Sequence, residues 1–234
     1  MGLPKLEQPT YHTHELPVTK KRLKFRPFLV KEQKILLIAI QSKDYHNILD
    51  AINRCVMECA SLKEDLPLVD ALVLFLAIRA KSVGEIVTPS IKCPKCQESM
   101  KVSGDLNNLA VEYSDDHNQI IQLSDTIRIK LRYPTISTVL QNKLLEQSDD
   151  PEKQEHLLVD CLETIWDGDE TYNVADYDDA EIEEFINSFN VDQAGKIANF
   201  FRTIPKVTMK VAGKCSKCNH EVVEEVRHLA DFFV

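Results

Sequence analysis

Glycine is scarce in this sequence, with six in 234 residues, and tryptophan occurs once. The chain accordingly has no glycine-rich loop of the kind that cradles phosphates, no G-x-S-x-G nucleophile elbow and no H-E-x-x-H metal motif. Long apolar runs are lacking too. A bilayer span needs roughly 20 apolar residues, whereas the longest stretch here, LVDALVLFLAI from Leu68, is interrupted by Asp70 and closed by Arg79, so it predicts a buried helix. The opening MGLPKLEQPTYH has no apolar core of a secretory signal, and the seven cysteines do not read as a secreted disulfide framework. The histidines are scattered, and the many carboxylates are explained by solvated helix surface before catalysis. The expectation is a protein of a reducing, intracellular setting, with no membrane segment, no small-molecule substrate and no enzymatic activity.

Apolar residues are plentiful, at 44%, enough for a real core in a chain of this length. Charge is unevenly placed. The net charge of -9 combines eight Lys and Arg against three Glu through residue 35, a balance of +5, with sixteen acids against Lys153 alone over residues 146–190, a balance of -15. Binding a polyanion requires neutralising its phosphates with Lys and Arg, so the acidic stretch is a poor nucleic-acid surface and better suited to basic protein partners.

Hydrophobic periodicity divides the chain into five regions. Residues 1–28 read as an extended arm broken by Pro4 and Pro9, followed by a hairpin turning at Thr19 and Lys20. Residues 29–84 carry three amphipathic or apolar helices, with Ser42 or Asp44 as a cap, Pro67 in a first turn and Gly84 as a stop. Residues 85–133 form a β module that includes EIVTPSIK, SMKVSG and the alternating IRIKLRY. Residues 134–205 form an acidic helical insertion: TISTVLQNKLLEQ, PEKQEHLLVDCLETIW, DDAEIEEFINSF capped by Asp178 or Asp179, and VDQAGKIANFFRTI. Residues 206–234 return to strand. Within the insertion, DGDETYNVADYD lacks the glycine and the bidentate glutamate of a calcium loop, having Tyr172 and Asp178 in those places, and predicts a turn between acidic helices.

The strongest local chemistry is a pair of matching stretches, IKCPKCQESMKV with Cys93 and Cys96, and GKCSKCNHEVVEEV with Cys215 and Cys218. In a zinc ribbon each CxxC occupies a tight turn between strands, where backbone N–H groups face the thiolates, and two such knuckles complete a tetrahedral sulfur site. The usual separation is roughly 15 to 20 residues, and here more than a hundred intervene between Cys96 and Cys215. Loop closure entropy grows slowly with length, so the spacing does not forbid the site. Four thiolates fill the shell, leaving His220 outside it, while Cys55, Cys59 and Cys161 on apolar helical faces read as core. The expected fold is α+β, mostly helical, with a small zinc-ribbon-like β module formed by two distant CxxC hairpins around a structural zinc.

LPKLEQPTY, ELPVTKKRLKFRPFLVKEQKILLIA and IWDGDETYNVADYDDAEIEEFINSF resemble the baseplate hub family of T-even-type tailed bacteriophages, most recognisably over RPFLVKEQKILL from Arg26 to Leu37. The resemblance implies a non-enzymatic structural or assembly protein of the tail baseplate hub, a late product found in the virion tail and, during assembly, in the host cytoplasm. Its partners would be other baseplate or tail proteins, docked through Phe25, Arg26, Pro27 and Phe28 as aromatic and arginine anchors. Two other readings compete. One is an assembly chaperone absent from the mature virion. The other is a zinc-ribbon nucleic-acid-binding protein using Lys92, Lys95, Lys101, Lys214 and Lys217 with the Arg128, Lys130 and Arg132 strand face, a reading that the acidic stretch disfavours.

Overall fold

The computed structural model describes residues 10–142 and 151–226, with side chains from residue 155 onward in the second span. The start of the expected arm, the end of the expected TISTVLQNKLLEQ helix and the end of the expected last strand, at Arg227, His228 and Leu229, lie outside the described residues. In chain order the elements begin with β1 (His12–Glu15), β2 (Arg22–Phe25), α1 (Val30–Ser42), α2 (Tyr45–Ala60) and α3 (Leu68–Ser82). Four strands follow: β3 (Ile86–Val87), β4 (Ser90–Lys92), β5 (Ser99–Lys101) and β6 (Ser103–Glu112). Next come β7 (Ile120–Gln122), β8 (Ile127–Leu131), α4 (Ile136–Gln141), α5 (Pro151–Cys161), β9 (Leu162–Asp167), β10 (Glu170–Asn173), α6 (Asp179–Asn187) and α7 (Val191–Thr203). The chain closes with β11 (Lys206–Lys214) and β12 (Glu221–Val226). These elements fall into two compact units, one built from the described residues up to Val111 together with those from Val207 on, the other from Glu112–Lys206.

In the first unit the three helices pack in sequence, α1 on α2 and α2 on α3. Helix α3 is apolar nearly all round and is buried accordingly, from Val69 through Ile78. Asp44 supplies the cap of α2, its carboxylate accepting from the His46 N–H at 2.8 Å. The β1–β2 pair turns at Lys20, whose φ is 57°, and buries Leu16 and Phe25. Its turn is held by the one charged residue inside the apolar run of α3. Asp70 is fully buried, and its two carboxylate oxygens accept from the Val18 N–H at 2.8 Å, the Thr19 N–H at 2.9 Å and the Thr19 hydroxyl at 2.7 Å. A buried carboxylate is tolerated because every facing donor is aimed at it.

The second unit is a four-stranded sheet, β10-β9-β8-β7, all antiparallel, with helices α5, α6 and α7 contributing Leu158, Ile182, Ile186, Ile197 and Phe200 to the core over Ile121, Ile129, Leu131 and Leu162. Asp178 caps α6, accepting from the Glu181 N–H at 2.9 Å. His117 bonds to Thr203 through Nδ1 and to Tyr133 through Nε2, each at 2.9 Å. Because the Thr203 hydroxyl already donates to the Asn199 carbonyl at 2.7 Å, it accepts from His117 Nδ1–H, and the Tyr133 hydroxyl donates to Nε2.

The expectation of a mostly helical chain is overturned. The described residues form four sheets, two of them four-stranded. The helix expected over PEKQEHLLVDCLETIW stops at Cys161, and LETIWD becomes β9, paired with β8 so that Ile129 opposes Ile165. Thr, Ile and Trp favour strand, and β8, fully buried at Ile129 and Leu131, needs a neighbour on that edge. The turn expected between acidic helices is the tip of the β9–β10 hairpin, Gly168–Asp169, where Gly168 takes φ 58°. The small module of two CxxC hairpins is also corrected: the cysteines stand in loops beyond the last paired residues, and β11 is an inner strand of the β12-β11-β6-β3 sheet. Among the described residues no helix is long and apolar enough to cross a membrane.

Asp70→Ala leaves two backbone donors unpaired, and urea unfolding should show a loss of about 3 kcal/mol. Asp70→Asn, which keeps one accepting oxygen, should lose less.

Candidate metal centre

The two CxxC loops are built alike. After β4, the Cys93 N–H donates to the Glu98 carbonyl at 2.8 Å and the Gln97 N–H to the Cys93 carbonyl at 2.8 Å. After β11, the Cys215 N–H donates to the His220 carbonyl and the Asn219 N–H to the Cys215 carbonyl, both at 2.9 Å. Gln97 and Asn219, each one residue past the second cysteine, take the same left-handed conformation at φ 59° and 56°. Close approach of β11 to the end of β5, the strand that follows the first loop, requires a glycine: a Cβ on Gly213 would stand 2.9 Å from the Lys101 carbonyl oxygen.

The four sulfurs converge. Cys93 Sγ lies 3.7 Å from Cys218 Sγ, Cys96 Sγ lies 3.6 Å from Cys215 Sγ, and all four are within 4.8 Å of one another. A tetrahedral site with metal–sulfur bonds of about 2.3 Å has sulfurs about 3.8 Å apart, and a disulfide would need about 2.05 Å. The spacing is that of metal ligands. Cys93 and Cys215 are fully buried, and Cys96 and Cys218 are partly so. The N–H groups of Cys218 and Lys217 point at the Cys215 sulfur and hold its thiol down at about 7. Cys96 receives the Glu98 N–H, which draws it down, but desolvation and the three neighbouring sulfurs more than offset this and push it up to about 12. Four thiols this close cannot all ionise without a cation among them, which is the chemistry a divalent metal supplies. Among the described residues this is the one cluster of three or more such ligands. His220 lends it a backbone carbonyl. Cys55 and Cys59 are buried with sulfurs 3.9 Å apart, and burial pushes the Cys161 thiol up to about 12.

The segment from Phe25 to Phe28 is tied into the first unit. Phe25 is buried, and the Arg26 N–H donates to the Cys59 carbonyl at 3.0 Å. The Arg26 guanidinium, its side chain 12% exposed, donates to Glu32 Oε1 at 2.8 Å and to the Pro27 carbonyl at 3.1 Å. Glu32, 3% exposed, accepts the Leu29 N–H on its other oxygen at 2.6 Å, satisfying a free donor at the start of α1. Pro27 and Phe28 are half-buried, with the Phe28 N–H on Ser82 Oγ at 3.0 Å. Two residues have structural duties that the sequence reading does not assign: Glu32, and Asp70, which it notes only as the break in the apolar run from Leu68. Each had a visible signal: a glutamate three residues after Leu29 in a capping position, and an acid alone in an apolar run.

The basic residues also find partners. Arg128 stacks over the Trp166 ring at 4.9 Å, Lys130 pairs with Glu163 at 2.6 Å and Arg132 Nε donates to the Asp160 carbonyl at 2.6 Å. At the cysteine loops, Lys217 pairs with Glu98 at 2.8 Å, bridging the two loops at the surface, while Lys92, Lys95, Lys101 and Lys214 are exposed.

Residues 8–234 match the family described as T4 bacteriophage base plate protein, and the chain belongs to that family. It is similar to the baseplate hub assembly protein gp26 of Enterobacteria phage T4, 25% identical over 219 residues that cover 94% of this chain and 96% of the relative. No solved structure matches the chain significantly.

Burial raises the Glu32 carboxyl, but the hydrogen bonds from Arg26, the Leu29 N–H and Lys31 more than offset it, leaving it at about 2. A carboxyl depressed in the folded state stabilises the fold above its unfolded value of about 4.3 and loses that contribution as the pH falls toward 2. Glu32→Gln should therefore cost on the order of 3 kcal/mol at neutral pH, with the difference from wild type shrinking in denaturation curves run between pH 5 and 2.

Proposed function

We propose that this chain is a non-enzymatic structural or assembly component of a phage tail baseplate hub, and that a structural zinc on Cys93, Cys96, Cys215 and Cys218 clasps its first unit. Family membership over residues 8–234 supports the baseplate reading. The observation that carries the zinc is the convergence of four sulfurs at tetrahedral spacing. All-thiolate tetrahedral sites suit zinc or iron, and with four protein ligands there is no open position for a substrate, so the metal's part is structural. The site joins loops on either side of the 112–206 insertion and so reinforces the pairing that places the returning strand β11 in the sheet.

Docking to other baseplate proteins is assigned to the Phe25–Phe28 segment in a divided way. Pro27 and Phe28 supply half-exposed contact surface, while Phe25 and Arg26 hold that surface in place through the core and Glu32. The nucleic-acid reading is weaker, because Arg128, Lys130, Arg132 and Lys217 already have partners within the chain.

Plasma emission on chain purified without added metal should give close to one zinc per chain, and Cys93→Ser with Cys215→Ser should lose both the zinc and most of the stability of the first unit. Metal-free wild type of full stability overturns the clasp. For the baseplate reading, mass spectrometry of hub intermediates and of finished particles should find the chain in both if it is a subunit, or in intermediates alone if it is an assembly factor. Its absence from both overturns the reading.

A further inference from the structure

Helix α1 buries one face and exposes another that is also apolar. Glu32, Leu36 and Ala39 turn inward, while Val30, Leu37 and Ile38 stand 65%, 51% and 68% exposed with Lys34 and Gln41 on the same stripe. Their spacing of three, four and seven residues places them along one side of the helix, and Leu29 extends the patch at its start, 45% exposed. Scattered exposed hydrophobes are ordinary, but a continuous stripe on one helix marks a contact surface. The second unit carries a surface of matching chemistry. Between the β9–β10 hairpin and α6 lies a groove of about 530 Å³ with an apolar lining that includes Ile127, Ile165, Val174 and Phe185. Asp167, Glu181 and Glu184, all exposed, form its rim.

We propose that copies of this chain associate head to tail, the exposed stripe of α1 in one copy seating in the acid-rimmed groove of the 112–206 unit of another. Charge complementarity selects this occupant. The stripe carries one cation, Lys34, and no acid, while Asp167, Glu181 and Glu184 rim the groove, and Lys34, midway along the stripe, reaches that rim as Leu37 and Ile38 enter the groove. Pairing α1 against α1 would instead bring like charges together. A contact between unlike faces leaves each copy one open face, so the association extends into a ring or a filament. This association is independent of the metal.

Sedimentation velocity on the full chain tests it, with two variants confined to exposed positions: Ile38→Glu on the stripe, and Tyr177→Arg with Glu184→Arg at the groove. Wild type should exceed the 26.7 kDa of one chain increasingly across the micromolar range, and less so at high salt. Each variant alone should sediment as a single chain. Their equimolar mixture should form a species of two chains and no larger, because the intact stripe of one meets the intact groove of the other. Zinc content, and the unfolding midpoint measured at a concentration low enough that wild type is a single chain, should match wild type in both variants, which separates this result from the fate of the metal site. Wild type that stays at one chain at every concentration, either variant associating like wild type, or a mixture that stays unassociated overturns the proposal.

Discussion

The four-stranded sheet of the first unit and its cysteine site depend on the return of the chain. Strand β11 inserts between β6 and β12 after the 112–206 insertion has run its course, and the cost of closing so long a loop is only modestly greater than for a short one, because it grows with the logarithm of length. What the return does require is close approach. A Cβ on Gly104 would come within 2.8 Å of the Met209 side chain, and one on Gly213 would meet the Lys101 carbonyl, so two of the few glycines lie where β11 runs against β6 and the end of β5. Once β11 is in register, the second cysteine loop is delivered to the first and the four sulfurs converge with no further chain to order. A metal bound there then adds its free energy to a contact the sheet has already arranged.

The two units stabilise themselves by different means. The second has a continuous apolar core under an antiparallel sheet, from Ile121 to Phe200. The first puts its apolar core mainly in the helices and the hairpin and secures its connections with buried polar groups: Asp70 on the turn at Val18 and Thr19, Glu32 between Arg26 and Leu29, and the thiols between the loops. Each of these is directional, and removing one partner leaves the other buried and unsatisfied. Such contacts therefore define one geometry more sharply than apolar packing does.

Much of this was legible in the chain. The cysteine pairs announce their convergence through matching surroundings and the β1–β2 turn shows through Thr19 and Lys20, while the caps are narrowed to Ser42 or Asp44 and to Asp178 or Asp179, of which the structure uses Asp44 and Asp178. The sequence pattern misleads after Cys161 because Leu157, Leu158, Cys161 and Leu162 continue a helical period into LETIWD, and only the pairing edge of β8 decides the matter for strand. Gly168-Asp169 is the local signal for the hairpin, a two-residue loop with glycine first. The destination of the Asp70 carboxylate was not legible, because its donors at Val18 and Thr19 are some fifty residues away and carry no pattern of their own.

The most recognisable stretch, RPFLVKEQKILL, divides its residues between two tasks. Arg26 and Glu32 are committed inward, to each other and to the start of α1, and Leu36 faces the core. That commitment fixes the rotation of the helix about its axis, and with the rotation fixed, Val30, Lys34, Leu37 and Ile38 can face nowhere but outward. An ion pair held at 2.8 Å on the inner side thus determines which side chains the protein presents on the outer one. If the outer face were idle, burying Glu32 would be a costly way to orient a surface helix, since well-packed apolar residues of similar volume are often as stable as a buried ion pair. The directionality of the pair is explained if the orientation of α1 is what the pair is for.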